Sequence, residues 1–192
     1  MKISLAQINS TVGDLEYNYS IISGAAKEAL DKNVSLLITP ELSLTGYPPE
    51  DLLLNSDFLE EANKKLLLLA KENPQIMIIV GHPLTEGVKL FNAASVLYKG
   101  KIVKSYKKQI LPNYGVFDEK RYFEPGDSNL IFIHKKFKIG VLICEDIWNE
   151  LPINNLIKSN VDIIVCINAS PYEIDKNDYR IKNITRKINL VL

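Results

Sequence analysis

Along the first eighty residues the apolar positions switch repeatedly between a two-residue and a 3.6-residue period, and few folds accept that rhythm. Lys2 to Ile8 alternates like a strand, while Tyr17, Ile21, Ile22, Ala25, Ala26, Ala29 and Leu30 recur at helical spacing. Asn33 closes the helix and Val34 to Ile38 reads as a buried strand. After Glu41, Thr45-Gly46-Tyr47-Pro48-Pro49 forces a loop. Phe58, Leu59, Ala62, Leu66, Leu69 and Ala70 mark a second helix over Asp57 to Asn73, and Ile76 to Val80 a third strand. The opening is therefore β-α-β-α-β.

Hairpins follow. Phe91 to Tyr98 and Ile102 to Tyr106 flank Lys99-Gly100-Lys101, and Leu130 to His134 meets Phe137 to Ile143 across Lys135-Lys136. Asn149 to Ser159 reads as a helix, Val161 to Ile167 as a buried strand and Tyr179 to Ile188 as a last helix. Parallel units mixed with hairpins predict an α/β chain with mixed sheets and outer helices. With 192 residues and 46% apolar content, it suits one domain. Asn189 to Leu192 look like a strand just beginning, which suggests the amino-terminal piece of something longer.

Charge narrows the partners. Lysine plus arginine equals aspartate plus glutamate at 23 each, which leaves no basic footprint for nucleic acid or an anionic membrane. No apolar run reaches the length of a spanning helix and the start is unlike a signal peptide, so a cytoplasmic location is expected. The two cysteines lack metal-ligand spacing and His82 and His134 are isolated, so no metal site is nominated.

Chemistry gathers at three strand ends. Val141 to Trp148 delivers Cys144 beside Glu145 and Asp146, Leu36 to Glu41 ends in a carboxylate, and Tyr106 to Pro112 carries an amine. A cysteine is mostly protonated at neutral pH and needs a base before it attacks. Taken alone, Cys144 reads as a small buried hydrophobe, and Glu41 as a loop carboxylate. Lys107 competes with Lys108, because neighbours on a strand point to opposite faces. Cys166, inside Ile163 to Ile167, reads as core.

Together, Pro40-Glu41, Lys108-Gln109-Ile110-Leu111-Pro112 and Cys144-Glu145-Asp146-Ile147-Trp148 resemble the Glu-Lys-Cys triad of the nitrilase (carbon-nitrogen hydrolase) superfamily. The stretches 44–53, 111–123 and 168–172 resemble more narrowly the glutaminase domain of glutamine-dependent NAD synthetases. Spacing before Leu-Pro in that family selects Lys108. The resemblance implies a nitrilase-like four-layer αββα sandwich over residues 1–192, incomplete at its carboxyl end, with the synthetase domain absent. It implies that Glu41 is the base, Lys108 the oxyanion partner and Cys144 the nucleophile in glutamine hydrolysis through a thioester. Glu119 would orient Lys108, and the backbone of Glu145 would assist. Tyr114 and Phe117 would line the glutamine pocket, with Ser170, Lys176 and Arg180 near its α-groups. Packing aromatics, a turn cap at Ser170 and a solvated helix face at Arg180 are the plain alternatives. The domain itself would need no cofactor; ATP and magnesium would belong to the synthetase unit that receives ammonia. Self-association is expected by the same analogy. The other functions weighed are a stand-alone amidase for another small amide or carbamoyl compound, and a non-catalytic interaction module with an open sheet edge.

Overall fold

The computed structural model describes residues 1–171 together with 174, 178, 181, 182, 184 and 185. The chain runs β1 (Ile3–Leu5), α1 (Leu15–Asp31), β2 (Leu36–Ile38), α2 (Ser56–Glu72), β3 (Met77–Glu86), β4 (Lys89–Tyr98), β5 (Lys101–Lys107), β6 (Leu130–His134), β7 (Phe137–Ile143), α3 (Glu150–Lys158) and β8 (Ile163–Ile167). Short 3₁₀ turns lie at Glu50–Leu54, Glu119–Arg121 and Cys144–Trp148. The expected helix Tyr179 to Ile188 and strand Asn189 to Leu192 fall largely or wholly outside the described residues.

Two mixed sheets form. One has the order β1-β2-β3-β4-β5 and the other β6-β7-β8. β1, β2 and β3 pair in parallel, β3 to β5 are antiparallel, and β7 pairs with β6 antiparallel and with β8 parallel. Period-two alternation decides what each face meets. Leu36, Ile38, Met77, Ile79, Ala94 and Val96 pack with Ile139, Val141 and Ile143 in a core shared by the two sheets. Leu37, Ile78, Val80 and Leu97 turn the other way, onto Ile22, Ala26, Leu66 and Leu69 of α1 and α2. On the far side α3 seats Leu156 against Gly140, where a Cβ would meet its methyls at 2.8 Å. The layers are therefore αββα, as expected.

Both expected hairpins form, each with two consecutive left-handed residues in its turn. Lys99 and Gly100 have φ 52° and 79°, Lys135 and Lys136 have φ 46° and 76°, the signature of a turn whose twist matches paired strands. Two expectations need adjusting. The amino-terminal strand is only Ile3–Leu5, because its partner β2 offers three residues to pair with. β3 continues past Val80 to Glu86 through Gly81 and Pro83. Beyond Ile79 no β2 residue is paired, so Pro83 forfeits no ladder hydrogen bond on that side.

Candidate active site

β2, β5 and β7 all end on one edge, and the residues just beyond them converge there. Glu41 follows β2 by a turn in which Thr39 and Ser43 hydroxyls share a 2.7 Å hydrogen bond. The turn nests on Gly81, where a Cβ would stand 2.3 Å from Pro40 O and 2.5 Å from Leu42 N. Only glycine lets β3 come that close to the backbone carrying Glu41.

Lys108 follows β5. Its ammonium reaches Glu41 Oε1 at 2.7 Å and Glu119 Oε1 at 2.8 Å, with all three side chains buried. Lys107 points the other way, over the Phe91 ring at 4.4 Å and to Glu86 Oε2 at 2.5 Å. Strand alternation thus separates the two lysines, and Lys108 is the one inside. Burial alone would lower its ammonium, but Glu41 and Glu119 outweigh that and hold it above its ordinary value.

Cys144 begins the 3₁₀ turn after β7 at φ 45°, a left-handed conformation that is uncommon for a residue with a side chain. Its Sγ lies 3.3 Å from Ser170 Oγ, while the preceding residue, Ala169, donates its N–H to Glu41 Oε2 at 3.0 Å. One short segment after β8 therefore touches both the thiol and the carboxylate. Burial first, then the Glu41 charge, pushes the Cys144 thiol up to about 12, against the pull of Lys108. A preformed thiolate is disfavoured here. The site suits a neutral thiol that loses its proton as it attacks, with a carboxylate at hand to accept it.

Asp146 ties these parts together. Its carboxylate accepts from Gln109 N at 3.0 Å, Ile110 N at 2.8 Å, Ile143 N at 3.0 Å and Tyr106 OH at 2.9 Å. It thereby clamps the segment after Lys108 to the strand end before Cys144. Burial raises its carboxyl above the ordinary range, although those donors oppose the rise.

Around this centre the remaining nominated residues are unevenly placed. Glu119 is buried in the cluster and also accepts from Tyr47 OH at 3.0 Å. Tyr114, itself exposed, donates to Glu145 Oε2 at 2.9 Å and meets Phe117 edge-on at 5.6 Å. Lys176 and Arg180 lie outside the described residues. Cys166 is half-buried on β8, where it packs against the shared core in an apolar groove with Ile3, Ile38 and Trp148. Sequence reasoning missed Asn92, Tyr47 and the clamp at Asp146. A polar residue within Leu90-Phe91-Asn92-Ala93-Ala94 was the available signal for the first. A cavity of about 200 Å³ opens beside Tyr47 and Glu119; Cys144 does not line it. Among the described residues no group of three His, Cys, Asp or Glu could hold a metal ion, and no helix is long and apolar enough to cross a membrane.

Layered mixed sheets with these buried groups at one edge define a nitrilase-type fold. The family profile described as Carbon-nitrogen hydrolase matches residues 2–190, and the chain belongs to that family of hydrolytic enzymes. It is 42% identical over 96% of its length to a protein named Glutamine-dependent NAD(+) synthetase from Acinetobacter baylyi, and spans 34% of that relative. A solved glutamine-dependent NAD+ synthetase from Acinetobacter baumannii superposes with TM-score 0.94 at 37% identity, covering 98% of this chain and 36% of that one. An amidase from Nesterenkonia, at 24% identity and TM-score 0.81, covers 92% of this chain and 70% of that one and shares the fold. The chain spans about a third of the synthetases it matches.

Proposed function

We propose that this chain is a glutamine amidohydrolase that works through a Glu41-Lys108-Cys144 triad. The observation that carries the reading is the buried Lys108 ammonium held by Glu41 and Glu119 at 2.7 and 2.8 Å, with Cys144 in their field. Its relatives' names supply the substrate. In this reading Cys144 attacks the side-chain carboxamide of glutamine as its proton passes to Glu41. The developing oxyanion is met by the Lys108 ammonium and the backbone N–H of Glu145; one such donor is typically worth about 2.7–4 kcal/mol of transition-state stabilisation. Collapse breaks the C–N bond, and Glu41 returns the proton to the leaving nitrogen, which departs as ammonia. Water then gives a proton to Glu41 and attacks the thioester. The C–S bond breaks, the proton returns to sulfur and glutamate leaves. One carboxylate serves both halves, so it must alternate between acceptor and donor.

Tyr114 and Phe117 wall the substrate, and Ser170, Arg180 and Lys176 serve its α-amino and α-carboxylate groups, as the family resemblance implies. Ammonia passes to a synthetase unit that amidates nicotinic acid adenine dinucleotide with ATP and magnesium. The assembly is a cytoplasmic oligomer. Release of glutamate and ammonia from glutamine, measured with Cys144→Ala as control, tests the reading. Cysteine-dependent release of both in equal amounts is expected. Hydrolysis of small aliphatic amides with glutamine left untouched would replace glutamine by another amide.

A further inference from the structure

Asn92 is fully buried on β4, opposite Pro83 in the register with β3. Its backbone carbonyl accepts from Lys108 N at 2.8 Å. Its Nδ2 donates to Glu41 Oε1 at 2.8 Å and to Glu119 Oε2 at 3.3 Å. A single residue thus holds the lysine by its main chain and both acids by their side chains. Chemistry fixes the orientation of the amide, because the flipped form would aim an oxygen at two carboxylates. The arrangement carries a penalty: Asn92 Oδ1 is buried with no hydrogen-bond partner among the described residues. An apolar side chain of similar size would fill the space without that orphan acceptor, so packing does not explain the asparagine.

We propose that Asn92 is a positioning residue that keeps Glu41 and Glu119 ionised together around Lys108, so that Glu41 stays available as the proton acceptor for Cys144. The catalytic half of this statement rests on the amidohydrolase reading above. Two buried carboxylates this close tend to share a proton. Glu119 is already displaced in that direction, by burial first and then by the charge of Glu41, against Lys108 and Tyr47. The groups facing the pair are the Lys108 ammonium after β5, the Tyr47 hydroxyl in the loop after β2, the Cys144 thiol after β7 and the Ala169 N–H after β8. Asp146 also interacts with the Lys108 charge. Asn92 contributes two N–H donors and no charge. It favours the doubly ionised state without competing with Lys108 for a substrate oxygen.

Two readouts separate this role from a merely structural one. In the first, side-chain ¹³C shifts of Glu41 and Glu119 are followed with pH in the wild-type chain and in Asn92→Ala. Loss of a donor to the charged form raises a carboxyl pKa, so the Glu119 titration should move up by about one pH unit. In the second, the acid limb of kcat/KM for glutamine should move to higher pH by the same amount, with kcat falling more than KM changes. Asn92→Asp keeps the shape and replaces the donors by a further negative charge, so it should displace both readouts more strongly; Asn92→Leu, which fills the space with an apolar side chain of similar size, serves where the alanine variant fails to fold. A folded variant with unchanged carboxyl titrations overturns the proposal, whatever its activity. If the wild-type chain hydrolyses no glutamine, the amidohydrolase reading fails, and the ¹³C titrations still decide whether Asn92 holds the pair ionised.

Discussion

Replacing Lys108 with methionine tests whether the buried cluster is held by its ammonium. At an effective dielectric of about 20, two contacts of this length give roughly 6 kcal/mol of gross attraction each. Desolvation of the three ions offsets most of that gain. Removing the cation alone leaves two buried carboxylates facing each other, with Asn92, Tyr47 and Ala169 as the donors that remain. Such a break typically costs about 3–5 kcal/mol. The penalty depends on pH, and its sign follows from Glu119. Its folded pKa lies above the ordinary carboxyl value, mainly through burial. The folded state therefore holds that proton more tightly than the unfolded state, and stability declines as pH rises from the ordinary carboxyl range through the folded value. Without Lys108 the folded value climbs further and the window widens. Urea unfolding of both chains at about pH 5 and about pH 8 should show a deficit that is full at the higher pH and smaller at the lower. The triple variant Glu41→Gln, Lys108→Met, Glu119→Gln, which removes every ion, should recover most of the loss. A deficit under about 1 kcal/mol at about pH 8, the size expected of an exposed pair, would refute the reasoning. So would one that is equal at both pH values.

Lys107→Ala is the control: its partner Glu86 is half exposed, so stability should change by less than about 1 kcal/mol and glutamine turnover should stay at the wild-type level. Asp146→Asn keeps the shape but cannot accept from all four donors, so urea unfolding should show a loss of about 1–3 kcal/mol, and kcat/KM should fall as the Lys108 and Cys144 segments loosen. Gly81→Ala puts a methyl into the Pro40–Leu42 backbone; it should destabilise by about 1–3 kcal/mol and displace Glu41, read as lost turnover in chains that remain folded by circular dichroism.

The parts of the fold that the sequence made legible are the local ones. Helices α1 and α2 announce themselves by period, and both hairpins by their short basic turns, Lys99-Gly100-Lys101 and Lys135-Lys136. β3 outruns its sequence signal because Gly81 and Pro83 carry breaker chemistry, yet here each fits: the glycine admits the Glu41 turn and the proline lies beyond the end of β2. The strand ends that carry Glu41 and Cys144 are legible because each follows an apolar run, and that of Lys108 because it closes a hairpin strand. The choice of Lys108 over Lys107 came from family spacing, and the observed strand alternation agrees with it. Asn92 was invisible for a different reason. Its partners are 51 residues earlier and 27 later in the chain, so the one local signal, a polar residue within an apolar strand, does not say what it meets. In the sequence Asp146 reads only as an acid beside Cys144, because its clamp depends on how β5 and β7 sit across the core.

The central claim is that Cys144 forms a covalent bond to the acyl group of glutamine. Rapid quenching of the chain with glutamine, followed by peptide mass spectrometry, reads this directly. The account predicts one glutamyl group on the Cys144 peptide, one ammonia released for each group formed, and neither in Cys144→Ala. Undiminished glutamate release by Cys144→Ala would contradict it.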